Sequence, residues 1–170
     1  LSMVRRSAWA DQPPADAMGA DVWLGDSMGE MPLYYALAQV ALLGGSFAPL
    51  GGQNLIEAAA CGVPVFMGPH LFNFTEASTL AAEAGAALRC EDMTHAVAEA
   101  AVTTGDAARL QGMQDAALGL GAAHRGAAHP HAAPRHRLLP RPGLPHPQRT
   151  TGRTHRQDPL ALLYCRPRWP

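Results

Sequence analysis

The residues best suited to chemistry lie in one glycine-rich run, Gly44-Gly45-Ser46 through Gly51-Gly52-Gln53-Asn54-Leu55-Ile56-Glu57. Backbone N–H groups in a glycine turn that opens a helix lack partners, and the positive end of the helix dipole adds to them. Glycine lets an anion approach the chain closely. Ser46, Gly51, Gly52 and Gln53 therefore form a candidate phosphate loop. Asn54 and Glu57 stand one helical turn apart, so they share a face. A carboxylate there suits the hydroxyls of a ribose attached to that phosphate. The chemistry is nucleotide or nucleotide-sugar binding. The same glycines equally suit a plain strand-to-helix turn in which they serve only packing. A second run, Ser27-Met28-Gly29-Glu30, has the S-x-x-E spacing of a capping box and is also suited to a phosphate- or base-facing loop.

Both runs need strands to hold them. Asp21–Asp26 and Val40–Leu43 read as short strands immediately before them. Pro32 to Ala38 and Asn54 to Cys61 read as helices, the first with proline in its opening turn and the second stopped by Gly62. Val63–Gly68 and Ala86–Cys90 are further strands. Phe74, Ala77, Leu80, Ala81 and Ala84 mark one face of a helix ended by Gly85, with Asn73 and Glu76 at capping-box spacing. Thr94–Val102 and Ala107–Leu118 are helices. The order βαβαβαβαα predicts an α/β fold, a Rossmann-like parallel sheet with helices on both faces. In such sheets ligands bind at strand C-termini, where both runs fall. His70, in the loop after the third strand of this series, is a lesser catalytic candidate, and His95 reads as a solvated helix residue.

At 170 residues and 48% hydrophobic, the chain can build one ordinary core. It contains no lysine, a bias that suggests a GC-rich coding sequence. Cys61, Cys90 and Cys165 are odd in number and widely spaced, which argues against a disulfide framework or a zinc site and fits a reducing compartment. Neither a membrane-length apolar run nor a signal-peptide core is present. The first residue, Leu1, suggests a fragment.

The net charge of -1 hides a division. Residues 1–120 hold four arginines and 13 acids, whereas 121–170 hold nine arginines and one acid, Asp158. From His124 onward there are nine prolines and six histidines, and apolar periodicity stops. Three organisational units follow: 1–20, a linker or remnant of a preceding element; 21–120, a nucleotide-sugar-binding domain; and 121–170, an irregular Pro/Arg/His-rich tail, disordered or frameshifted. A basic tail can bind nucleic acid or anionic lipid, and histidines can bind metal. The preferred origin is a GC-rich message read out of frame. The coding DNA read in the other frames should then encode a globular continuation, and its absence there would overturn that origin.

The motifs together are more specific than any one of them. Gly25-Asp26-Ser27-Met28-Gly29-Glu30-Met31, Gly44-Gly45-Ser46, Gly51–Ala59, Gly62-Val63-Pro64-Val65 and Met67-Gly68-Pro69-His70 with Phe72-Asn73-Phe74 resemble, in content and spacing, the C-terminal domain of the 3-deoxy-D-manno-octulosonic acid (Kdo) transferases of lipopolysaccharide assembly. The resemblance covers roughly residues 20–105. It implies the C-terminal half of a GT-B glycosyltransferase, two Rossmann-like domains facing a cleft. It implies that Met28, Gly29, Glu30, Asn54, Leu55, Ile56 and Glu57 contact the CMP of the donor, CMP-Kdo. The general base, the lipid A precursor site and the membrane anchor would belong to an N-terminal domain outside this chain. The chain then offers stabilisation of departing CMP but no base for the acceptor hydroxyl. No catalytic residue, metal, further cofactor or nucleic-acid partner is implied. The parent enzyme would work at the cytoplasmic face of the bacterial inner membrane, and the fragment alone would be a soluble, inactive cytoplasmic domain. Two alternatives remain at this point: another GT-B enzyme using a UDP-sugar, and a non-catalytic basic interaction module working through the tail.

Overall fold

Val65, Phe66 and Met67 are at most 2% exposed, and the strand they form, β4 (Val65–Met67), lies at the centre of the molecule. The computed structural model describes residues 1–9, 12–15, 17–127 and 162–165. β3 (Ala41–Leu43) and β5 (Ala87–Arg89) flank β4, both in parallel, with Leu42 opposite Phe66 and Phe66 opposite Leu88. Successive side chains of a strand point to opposite faces, so a central parallel strand must be apolar at every position. Val65 and Met67 pack with Leu43, Ala87, Leu55, Ala58, Ala59, Ala81, Ala117 and Leu120. Phe66 faces the other way, onto Cys90, Ala96 and Ala100, with Leu42, Leu88 and Met113 at the edge of that cluster. Both faces are thus covered, as the alternation of strand and helix predicts.

The helices are α1 (Met31–Leu37), α2 (Ile56–Ala60), α3 (Thr75–Glu83), α4 (Met93–Gly105) and α5 (Ala107–Ala127). α4 is N-capped by Asp92, whose carboxylate accepts from the His95 amide at 2.7 Å. Asp106 ends α4 and opens α5, accepting from the amides of Ala108 and Arg109.

Four expectations change. The strands form two three-stranded sheets: β3-β4-β5, all parallel, and a second set around β2 (Val22–Gly25). The stretch 1–20, expected to be a linker or the remnant of a preceding element, holds regular structure. It contains β1 (Met3–Arg5), parallel to β2, whose short pattern was too weak to register as a strand. Neither capping box forms: α1 is preceded by Glu30 and α3 by Phe74, and neither helix has a side-chain cap. The helix read as ending at Leu118 runs to Ala127 and carries the fold past residue 120. Gly121 permits this, because a Cβ there would meet the Ala60 backbone at 2.7 Å, so α5 lies directly on α2. Within the tail, β6 (Leu162–Cys165) pairs antiparallel with β2. The remainder, including the proline-rich dipeptides from 130 to 147, lies outside the described residues.

One buried hydroxyl ties the rim of the central sheet together. Ser46 is wholly buried; its Oγ donates to the Leu43 carbonyl at 2.5 Å and accepts from the Gly68 amide at 2.7 Å. Ser46→Ala leaves that buried amide unpaired, so urea denaturation should show a loss of about 1–3 kcal/mol. An unchanged midpoint would contradict the staple.

Candidate functional site

The site assembles on the loops that leave the C-terminal ends of the strands. After β3 comes a 3-10 turn, Gly44–Ser46, and then the glycine run. Gly51 and Gly52 adopt φ of +87° and +79°, in the left-handed region that favours glycine. A Cβ on Gly51 would run into the side-chain Nδ2 of Asn73, and one on Gly52 would stand 2.9 Å from the Leu71 side chain. These glycines therefore let the loop after β4 close onto the loop after β3. The Asn73 amide donates to Gly51 O at 3.3 Å and the His70 amide to Ser46 O at 2.9 Å. Ser46 is engaged wholly inside the protein. Gln53 lies over Gly45. Gly44 has open space above it.

The Asn54–Glu57 segment follows. Asn54 Oδ1 accepts from the Ile56 amide at 3.1 Å, and its Nδ2 donates to Glu57 Oε1 at 3.0 Å. Asn54 and Glu57 share one exposed face, as their spacing predicts. Leu55 is 1% exposed and Ile56 packs against the core, so these two offer a ligand their backbone rather than their side chains. With five residues, α2 is too short for much of a macrodipole. Recognition here rests on the Asn54 amide, the Glu57 carboxylate and loop N–H groups.

The first run sits beside it. Met28 is 79% exposed, and Gly29, at φ +81°, has no atom within 4 Å of where a Cβ would stand. Glu30 is held from two sides: the Ser27 hydroxyl donates to Oε2, and Arg6 Nη2 donates to Oε1 at 2.7 Å. The Ser27 hydroxyl, and the Arg6 guanidinium against the opposing cost of partial burial, keep the Glu30 carboxyl below its ordinary value. Arg6 also lies 5.5 Å from the centre of the Trp9 ring, which meets Trp23 edge to face at 5.1 Å. Asp26, just upstream, accepts from the Ser7 amide and hydroxyl at 2.8 and 2.7 Å. These partners all come from the stretch read as a linker or the remnant of a preceding element. Only the apolar pair Met3-Val4 ahead of Arg5-Arg6-Ser7 signalled them.

The structure joins the two segments through α1 and α2. Glu30 opens α1, Asn54 stands two residues before α2 and accepts from its first amide, and the helices pack on each other. Tyr35 of α1 is buried in the core shared with Leu55 and Ala58. Its phenol is pushed up to about 12 by burial and then by the Glu57 carboxylate. His70 lines a separate cavity at the end of β4. His95 is exposed. Among the described residues no group of three or more His, Cys, Asp or Glu could hold a metal, and no helix is long and apolar enough to cross a membrane.

Comparison with known proteins bears on this geometry. No protein-family model matches the chain. It is 53% identical over 127 residues to the 3-deoxy-D-manno-octulosonic acid transferase of Bordetella pertussis, a match covering 75% of this chain and 29% of that protein. It is 49% identical over 55 residues to the transferase of the same name from Haemophilus influenzae, covering 32% and 13%. The crystal structure of the C-terminal CMP-Kdo binding domain of WaaA from Acinetobacter baumannii superposes with a TM-score of 0.60 at 31% identity, covering 71% of this chain and 61% of that one. The chain spans less than a third of the length of these two curated relatives.

A depressed carboxyl pKa means that Glu30 contributes stability present above its unfolded value, near 4.5, and lost as pH falls through its lower folded value. The melting temperature of the protein minus that of Glu30→Gln should therefore be largest near neutrality and shrink below about pH 4.5. A gap that stays constant down to about pH 3 would show that the Ser27 and Arg6 contacts do not bind the charged form.

Proposed function

We propose, from the premise that the chain is a homologue of the 3-deoxy-D-manno-octulosonic acid transferases, that it is the donor-binding part of such an enzyme and binds CMP-Kdo. The observation that carries this reading is the 31% identity and shared fold with a C-terminal CMP-Kdo binding domain. The geometry supplies the parts. The Gly52 N–H is taken by the Gly45 carbonyl, so the backbone N–H groups of Gln53 to Leu55 are the ones that face the phosphate, and Glu57, oriented by Asn54, accepts from the ribose hydroxyls. Met28, Gly29 and Glu30 form the opposite side, where the open surface over Gly29 admits the nucleotide. Glu30 is kept ionised by Ser27 and Arg6, so it serves as a hydrogen-bond acceptor rather than a proton donor.

In the whole enzyme this half would hold CMP as the bond to the anomeric carbon breaks. The base that deprotonates the acceptor, the lipid A precursor site and the membrane attachment belong to the part outside this chain. The chain by itself is then a binding domain without transfer activity. Its charged C-terminal region is not required for this reading.

Calorimetric titration of CMP into the purified chain should give saturable binding, with UDP at least about tenfold weaker. Glu57→Ala should weaken CMP by about tenfold or more, the loss of one charge-assisted hydrogen-bonding group. Equal affinity for UDP would instead favour a UDP-sugar donor. An unaltered CMP affinity in Glu57→Ala would contradict the assigned ribose contact.

A further inference from the structure

Residues 1–120 contain four arginines. Three are ion-paired: Arg5 with Asp26 at 3.5 Å, Arg6 with Glu30 at 2.7 Å and Arg109 with Glu99 at 2.7 Å. Arg89 alone has no carboxylate partner among the described residues. Its Nη2 donates to Ser78 Oγ at 2.9 Å, which orients the exposed guanidinium without neutralising it. In a stretch so rich in acids, an unpaired arginine is out of pattern.

Arg89 closes β5, and its side chain lines a cavity of about 220 Å³ together with Pro69, His70, Leu71, Phe72 and Thr75. No acidic residue lines it. Thr75 begins α3, whose first turn has no side-chain cap and carries Glu76, so the helix end adds little net charge to the same space. Phe72 is 63% exposed at the lip. At this volume the cavity is smaller than the roughly 300–1,000 Å³ of whole-ligand sites, so it accommodates part of a ligand. The Arg89 guanidinium and the His70 imidazole, with no acid in the lining, define the part as an anionic group.

The cavity is next to the loop assigned to the donor phosphate. The wall from His70 to Asn73 is the segment that closes on the glycine run, through Asn73 N to Gly51 O and His70 N to Ser46 O. Gly52, where a Cβ would stand 2.9 Å from Leu71, sets the phosphate-facing backbone that follows it against this wall, so a sugar attached to the phosphate extends toward the cavity. The sugar named in the relatives is an acid. We infer that the His70–Arg89 cavity receives the carboxylate of the donor's sugar acid, with Arg89 as the charge partner and His70 as a hydrogen-bond donor. This rests on the donor-binding reading above and adds to it the subsite that distinguishes CMP-Kdo from CMP.

The test compares freshly prepared CMP-Kdo with CMP on the full chain by calorimetry. CMP-Kdo should bind more tightly than CMP, and Arg89→Gln should reduce that advantage by about tenfold while leaving CMP affinity unchanged. His70→Gln should reduce it by a smaller factor, and Arg89→Lys should retain part of it. If Arg89 serves only to brace Ser78, both Arg89 variants will keep the full advantage, and the inference fails while the donor-binding reading stands. If unmodified protein binds neither compound, the donor-binding reading fails and takes this one with it. If CMP binding drops equally in all the variants, the residues act on the fold and the inference is again wrong.

Discussion

The Ser46 hydroxyl holds the ends of β3 and β4 together, and the ligand-facing surface depends on that contact. Ser46 turns the chain back on Leu43 and accepts from Gly68. The approach is close enough that a Cβ on Gly68 would stand 2.5 Å from the Ser46 carbonyl oxygen. With those loops fixed, the segments beyond them have little freedom. Gly51 and Gly52 meet Asn73 and Leu71, and Asn54 holds the first amide of α2. Loops carry function when a rigid scaffold positions them. Here the scaffold is the buried strand β4 and its two apolar clusters.

Two kinds of glycine contribute to the glycine-rich run and its neighbours. Gly51, Gly52 and Gly68 are needed for packing, since any side chain would meet another loop. Gly29 and Gly44 face open space and leave room for something outside the protein. The packing and binding accounts of such a motif are therefore complementary. The packing glycines shape the wall, and the open ones expose backbone. Charge follows the same division. Residues 1–120 are rich in acids, but the carboxylates around the first segment are paired with Arg5 and Arg6, and Ser7 donates to Asp26, which lowers the repulsion that an approaching phosphate would meet.

Much of this was legible in the sequence. Strands β2 to β5 and helices α1 and α3 appear within a few residues of where period and glycine punctuation place them, because each carries its own apolar signal. The Asn54–Glu57 pairing follows from one helical turn of spacing. What was hidden depended on distant partners. β1 is three residues long and half exposed, and only pairing with β2 makes it a strand. The roles of Ser27 and Asn73 were misread as caps because each had a carboxylate at the right spacing. Ser27 instead braces Glu30 jointly with Arg6, and Asn73 packs on Gly51. The reach of α5 to Ala127 was masked by a change in composition, although the Gly121 contact with Ala60 keeps that segment on the core.

The account depends on Met28–Glu30 and Asn54–Glu57 forming one site across the α1–α2 contact. Backbone amide shift mapping by NMR during a CMP titration tests this most directly. The amides of both segments should move along a single saturation curve, with those of α4 and β1 still. Movement of one segment alone, or two curves with different midpoints, would contradict a shared site.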